Sequence, residues 1–228
     1  MGNNLRCWGA QRVRFGGALW LGMSLLFGAA RAGDLDLPEV SLVEASTVAE
    51  MPSPEIGEVR EFVGSVATID CSRWEIIESD VEDSLVSQCG DYKFYFKRSE
   101  NLNMHKVTGA NGVVAVEFTP AYPGIQFPLA VGKHWRKPYK GHSAIEDISW
   151  EGDVDCEVAE YAQVEVAAGV YKAFRIECRD HWKVGDAESS VTSTTWYAPD
   201  AGGVVKTLNY EDSRWNTELK AFSGPREE

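Results

Sequence analysis

Residues 154–178 read V-D-C-E-V-A-E-Y-A-Q-V-E-V-A-A-G-V-Y-K-A-F-R-I-E-C, and this run limits the fold more tightly than any other. Val154, Cys156 and Val158 alternate with Asp155 and Glu157; Val164 and Val166 with Gln163 and Glu165; Phe174, Ile176 and Cys178 with Arg175 and Glu177. Period-two alternation is the pattern of strands with one buried and one wet face. The only interruption is Ala-Ala-Gly at 167–169, where glycine suits a tight turn. The run therefore predicts one long β-hairpin with a cysteine facing inward on each arm.

Residues 1–32 have the build of a cleaved export signal. Arg6, Arg12 and Arg14 form a basic start, 15–30 is an apolar core, and Ala30-Arg31-Ala32 fits the small-x-small cleavage rule. The core is short for a membrane span. With Cys7 removed, Cys71, Cys89, Cys156 and Cys178 remain. An even count in an exported chain reads as two disulfides. Three pairings are possible, and 71–89 with 156–178 is expected, because Cys156 and Cys178 fall opposite or nearly opposite on the same face of the hairpin, as a disulfide requires. No C-x-x-C spacing supports a zinc site, and no metal or other cofactor is expected.

The signal holds four of the 22 basic residues and none of the 35 acidic ones, leaving a formal charge of −17 on residues 33–228. Such a surface repels nucleic acid and anionic membrane faces. Residues 33–58, with seven acids and three prolines, read as an acidic leader or linker. Residues 59–222 read as a single β domain and 223–228 as a tail. After signal cleavage no transmembrane segment is expected.

Strands are expected at 61–71, 92–97, 104–108, 113–118, 145–150, 154–166, 170–178, 190–197, 204–210 and 215–222, with 120–128 a proline-rich crossing segment. Gly141, Gly152, Gly169, Gly185-Asp186, 199–203 and Glu211-Asp212 read as turns. Many short strands with regular punctuation predict a mainly β fold, an antiparallel meander forming a curved sandwich or open barrel.

Three blocks carry a family resemblance: F-P-L-A-V-G-K-H-W at 127–135, V-E-V-A-A-G-V-Y-K-A-F-R-I-E at 164–177, and W-Y-A-P-D-A-G-G-V-V-K at 196–206. Together they resemble the TapB-like family of exported bacterial proteins, a domain of unknown function, over roughly residues 90–222. Ala167-Ala168 departs from the Pro-Ala pair that the resemblance leads one to expect at the turn. It implies a β-rich envelope domain, in the periplasm or outside the cell, and supplies no catalytic residues.

No H-E-x-x-H, G-x-S-x-G or P-loop motif occurs. Trp135, Trp150, His181, Trp182 and Trp196 are the candidate ligand-contacting residues, since aromatics on a concave sheet stack on sugars or line a lipid groove. Core packing is the competing account of the tryptophans. The expected function is a non-catalytic exported envelope protein that binds an apolar or glycan ligand, or another envelope protein, through a curved sheet. The alternatives are a hydrolase of envelope polymers, for which His134, His142 and His181 are the candidates, and an assembly factor docking through its acidic leader.

Overall fold

A computed structural model describes residues 47–64 and 71–225. The expected signal peptide, the leader as far as residue 46 and the end of the tail lie outside the described residues. The fold is a meander of twelve antiparallel strands: β1 Val59–Gly64, β2 Arg73–Ile77, β3 Ser84–Cys89, β4 Tyr92–Lys97, β5 Asn103–Thr108, β6 Val114–Thr119, β7 His134–Ser143, β8 Ile148–Val166, β9 Gly169–Val184, β10 Ala187–Ala198, β11 Gly203–Asn209 and β12 Thr217–Ser223. Each strand pairs with its neighbours in sequence, and β1 pairs with β12, so the sheet closes into a barrel. The expected open barrel or sandwich is thus a closed barrel. Closure leaves no strand at the end of the sheet, removing the exposed ladder that otherwise invites aggregation.

The predicted hairpin is the spine of the barrel. β8 and β9 pair from Glu151↔Lys183 to Val166↔Gly169 across a two-residue turn at 167–168. Cys156 and Cys178 are direct cross-strand partners and form a disulfide, with Cα atoms 4.1 Å apart. Cys71 and Cys89 form the second, Cα atoms 5.6 Å apart. Both pairs are those expected, and they fit an oxidising compartment.

Three expectations fail for identifiable reasons. Gly141 and Gly152 mark no turns; they sit inside β7 and β8. A side chain on Gly141 would run into the Trp150 ring, and one on Gly152 into the Tyr139 ring. Glycine here makes room for an aromatic from the next strand. Of the strand expected at 61–71, residues 61–64 lie in β1, 65–70 are outside the described residues, and Cys71 belongs to no strand, β2 starting only at Arg73. The strand expected from 145 begins at Ile148, after a turn in which Asp147 takes φ 52. Pro138 is tolerated inside β7 because β6 pairs only with Lys140–Ser143.

One face of β7, β8 and β9 presents Trp135, Cys156 and Cys178 in a single cross-strand row. With Val154, Val158, Phe174 and Ile176 they form the main core. Burying each such side chain contributes roughly 1.5–3 kcal/mol. A second cluster, including Val166, Val205 and Leu219, lies where the β8–β9 turn meets β12, and there the Ala168 N–H donates to the Leu219 carbonyl. Nearby, the half-buried Arg60 donates to the carbonyls of Ala201 and Gly202 at 3.0 and 2.9 Å, tying β1 to the β10–β11 corner. A third cluster is built on Cys71, Cys89, Phe94 and Val107.

The segment 120–133 packs against β5, β7, β9 and β10. Its Tyr122 N–H donates to the Met104 carbonyl on β5. The Tyr122 hydroxyl donates to Asp180 on β9, the Trp135 indole on β7 donates to the Pro123 carbonyl at 2.9 Å, and Phe127 packs edge-on against Tyr197 on β10. Leu129 is fully buried and pairs through its backbone with Ala49. The end of the acidic leader is therefore fixed against this segment.

Candidate functional site

The chemistry-bearing residues of the described chain gather at both sides of the point where β6 passes into the crossing segment. On one side is a cavity of about 210 Å³. Its polar wall is Glu82, Ser84, Lys97, Glu100 and His105, and its other wall is Phe118 to Ala121. Ser84 and Lys97 are cross-strand partners on β3 and β4. His105 is brought in by a bulge: Tyr95 pairs with Lys106 and Phe96 with Met104, which leaves His105 as the extra residue.

The buried Ser84 hydroxyl lies 3.0 Å from His105 Nε2. Burial, then the charges of Lys106 and Lys97, lower the His105 pKa, so the ring is neutral near pH 7. A serine beside a neutral histidine is the beginning of a nucleophilic site, but the third member is committed elsewhere. Glu100 accepts from Lys97 Nζ at 2.6 Å and from the Ala121 N–H at 2.7 Å. Burial works against its charge, but these hydrogen bonds and the Lys97 ammonium outweigh it and hold the carboxyl below its usual range. Glu100 thus anchors the crossing segment and does not orient the imidazole.

On the other side is Asp180, buried in the inward row of β9 between Cys178 and Trp182. It accepts from the hydroxyls of Tyr139, at 3.0 Å to each carboxylate oxygen, and Tyr122 at 3.1 Å. Burial pushes its pKa up to about 6; the two tyrosines and His181 pull it down, while Asp153 adds to the rise. The same burial and the Asp180 charge raise both tyrosines. Phe118 links the two sides, lining the cavity and packing on Tyr122, Tyr139 and Trp150.

The five candidate residues do not converge. Trp135 and Trp182 are buried. Trp150 is half-buried, edge-on to Phe118. Trp196 lies beside Lys206, whose ammonium is 5.9 Å from its ring. His181 is on the outer face, 3.6 Å from Glu188. The histidines considered for hydrolysis also face outward, His134 towards Asp155 at 2.6 Å and His142 towards Ser149 at 3.0 Å. The Ser84–His105 pair carried no sequence signal, since 21 residues separate its members. Asp180 did carry one: it is an acid at an apolar position of the alternation.

The outer face of β7 to β10 is laced with ion pairs, among them Arg136–Asp153, Lys140–Glu151 and Lys183–Glu188. Such pairs at an exposed surface stabilise little, and charges on a strand face are costly against the middle of a lipid bilayer. No helix among the described residues is long and apolar enough to cross a membrane. Among those residues no group of three His, Cys, Asp or Glu side chains is placed to hold a metal ion.

No family model matches the chain, and no curated protein matches it. Three solved structures are similar to it at 11% sequence identity. They are a candidate lipoprotein from Parabacteroides distasonis (78% of this chain, 100% of that one, TM-score 0.45), a candidate exported protein with a YmcC-like fold from Bacteroides fragilis (77% and 99%, 0.43), and the hypothetical lipoprotein YmcC from Escherichia coli (76% and 88%, 0.43).

Proposed function

We propose that this chain is a non-catalytic exported protein of the bacterial envelope that binds a glycan or another envelope protein. The observation that carries this reading is the polar cavity at the start of the crossing segment, lined by Glu82, Ser84, Lys97, Glu100 and His105. Residues 120–133, which begin at its other wall, are fixed to β5, β7, β9 and β10 by the bonds described above. A polar cavity of this kind suits hydroxylated or proteinaceous ligands. The two disulfides support an oxidising compartment outside the cytoplasm, and the TapB-like resemblance points the same way.

The competing hydrolase would need Ser84 as nucleophile, with His105 as its base. One experiment separates the two. The protein is purified from an envelope fraction and analysed by native mass spectrometry, and in parallel it is treated with a fluorophosphonate. A co-purifying glycan or protein and an unlabelled Ser84 are expected. Covalent labelling of Ser84 that His105→Gln abolishes would overturn the non-catalytic reading, and a co-purifying lipid would overturn the choice of a polar ligand.

A further inference from the structure

We propose that the cavity between Ser84, His105 and the start of the crossing segment holds one ring of a neutral glycan. This rests on the binding-protein reading and names the ligand and the place.

The chemistry of the walls excludes the other ligand classes. An anion finds no free positive charge, because the Lys97 ammonium is 2.6 Å from Glu100 and Glu82 adds a further carboxylate. An apolar ligand would strip water from the Glu82 carboxylate and from the hydrogen-bonding positions left open in the Ser84–His105 and Lys97–Glu100 pairs, at a cost of about 1–3 kcal/mol for each group left unsatisfied. A metal ion lacks a set of three ligands among the described residues. A neutral polyol meets none of these obstacles.

A pyranose ring needs both acceptors and donors, and the wall supplies both. The carboxylate of Glu82 accepts. Ser84 and His105 bond to each other, and the pair keeps further donor and acceptor capacity beyond that bond; Lys97 has N–H groups beyond the one given to Glu100. The opposite wall, with Phe118 and Pro120, offers the apolar surface on which the C–H face of a sugar packs. The size also agrees: about 210 Å³ is the room of roughly seven waters at ~30 Å³ each, enough for a single ring. A bound ring would lie against Ala121, whose N–H is held by Glu100.

The test uses the exported chain, uniformly labelled with nitrogen-15, titrated with glucose, N-acetylglucosamine and their β-1,4 tetramers while amide spectra are recorded. Saturable shifts at Ser84, Glu100 and Ala121 with at least one sugar are expected. Glu82→Gln, an exposed change that leaves the fold intact, and Ser84→Val should each weaken binding about five- to ten-fold, the value of one lost hydrogen bond. A sugar whose shifts map elsewhere and whose affinity neither variant alters overturns the site while leaving the binding function standing. No saturable shift with any of these sugars, in a protein that still captures an envelope partner, overturns the glycan assignment alone. Absence of both sugar and partner binding overturns the function as well.

Discussion

The indole of Trp150 lies over Gly141, the residue directly across from it on β7, so closely that a methyl group on Gly141 would collide with the ring. The glycine is the floor on which the aromatic stack of Phe118, Tyr122 and Tyr139 begins. Gly141→Ala should destabilise the protein by about 1–3 kcal/mol, as overpacking does. The change in urea midpoint measures it, and a variant as stable as the parent would show that the ring moves aside at no cost.

Asp180 makes the stability depend on pH in an unusual direction. Its pKa is raised in the fold from the ordinary 3.8 to about 6, so the folded state binds a proton more readily than the unfolded chain. The contribution is fully present below pH ~4 and is lost as the pH rises through ~6. Acids elsewhere in the chain, such as Glu100, Glu151 and Glu188, have lowered values and act with the opposite sign. The useful quantity is therefore the difference between the parent and Asp180→Asn. On going from pH 7.5 to pH 4 the parent should gain stability relative to the variant by about 3 kcal/mol, on the scale of 1.36 kcal/mol per pKa unit. A difference that stays constant with pH would remove Asp180 from the account.

Asn103 holds the crossing segment by its backbone. Its side chain donates to the carbonyls of Glu100 and Ile125, each at 2.8 Å, and accepts from the Ile125 N–H at 3.0 Å. Asn103→Ala should leave those groups without partners in a buried place, costing roughly 1–3 kcal/mol, and should loosen 120–130 before the barrel unfolds. Limited proteolysis is the measurement: new cleavage within 120–130 at protease levels that spare the parent is expected, and an unchanged digestion pattern would count against the role.

Each disulfide closes a loop of about twenty residues, with sequence separations of 18 and 22. The chain-entropy model assigns such a loop about 3 kcal/mol. Replacing either pair with serines should lower the unfolding free energy by that order in denaturant titrations. A negligible loss for both would mean that the unfolded chain is already compact near these residues.

The sequence displays the parts of this fold that depend on alternation and hides those that depend on long-range contact. The β8–β9 hairpin and its cystine were legible because 154–178 keeps period two almost throughout. β3 was not, because Leu85 and Val86, adjacent in sequence, are both buried, and a strand covered on both faces shows no alternation. Gly141 and Gly152 read as turns because their partners, Trp150 and Tyr139, lie on neighbouring strands. The candidate site is the least legible part. Its serine, histidine and glutamate come from β3, a bulge in β5 and a 3-10 turn at Arg98–Glu100, and a bulge has no reliable mark in a single sequence. The buried acid at 180 was visible as an exception to the pattern, and its two tyrosines were not.

The closure of β1 on β12 sets an order of events during export. Val59–Gly64 emerges early, yet one of its edges has no partner until Thr217–Ser223 follows. A chain in transit thus carries a waiting strand edge for most of its passage, the sort of edge that recruits a neighbouring molecule. Whatever shields that edge in the cell need only do so until the last seven-residue strand arrives, and the finished barrel then has no edge left for it to hold.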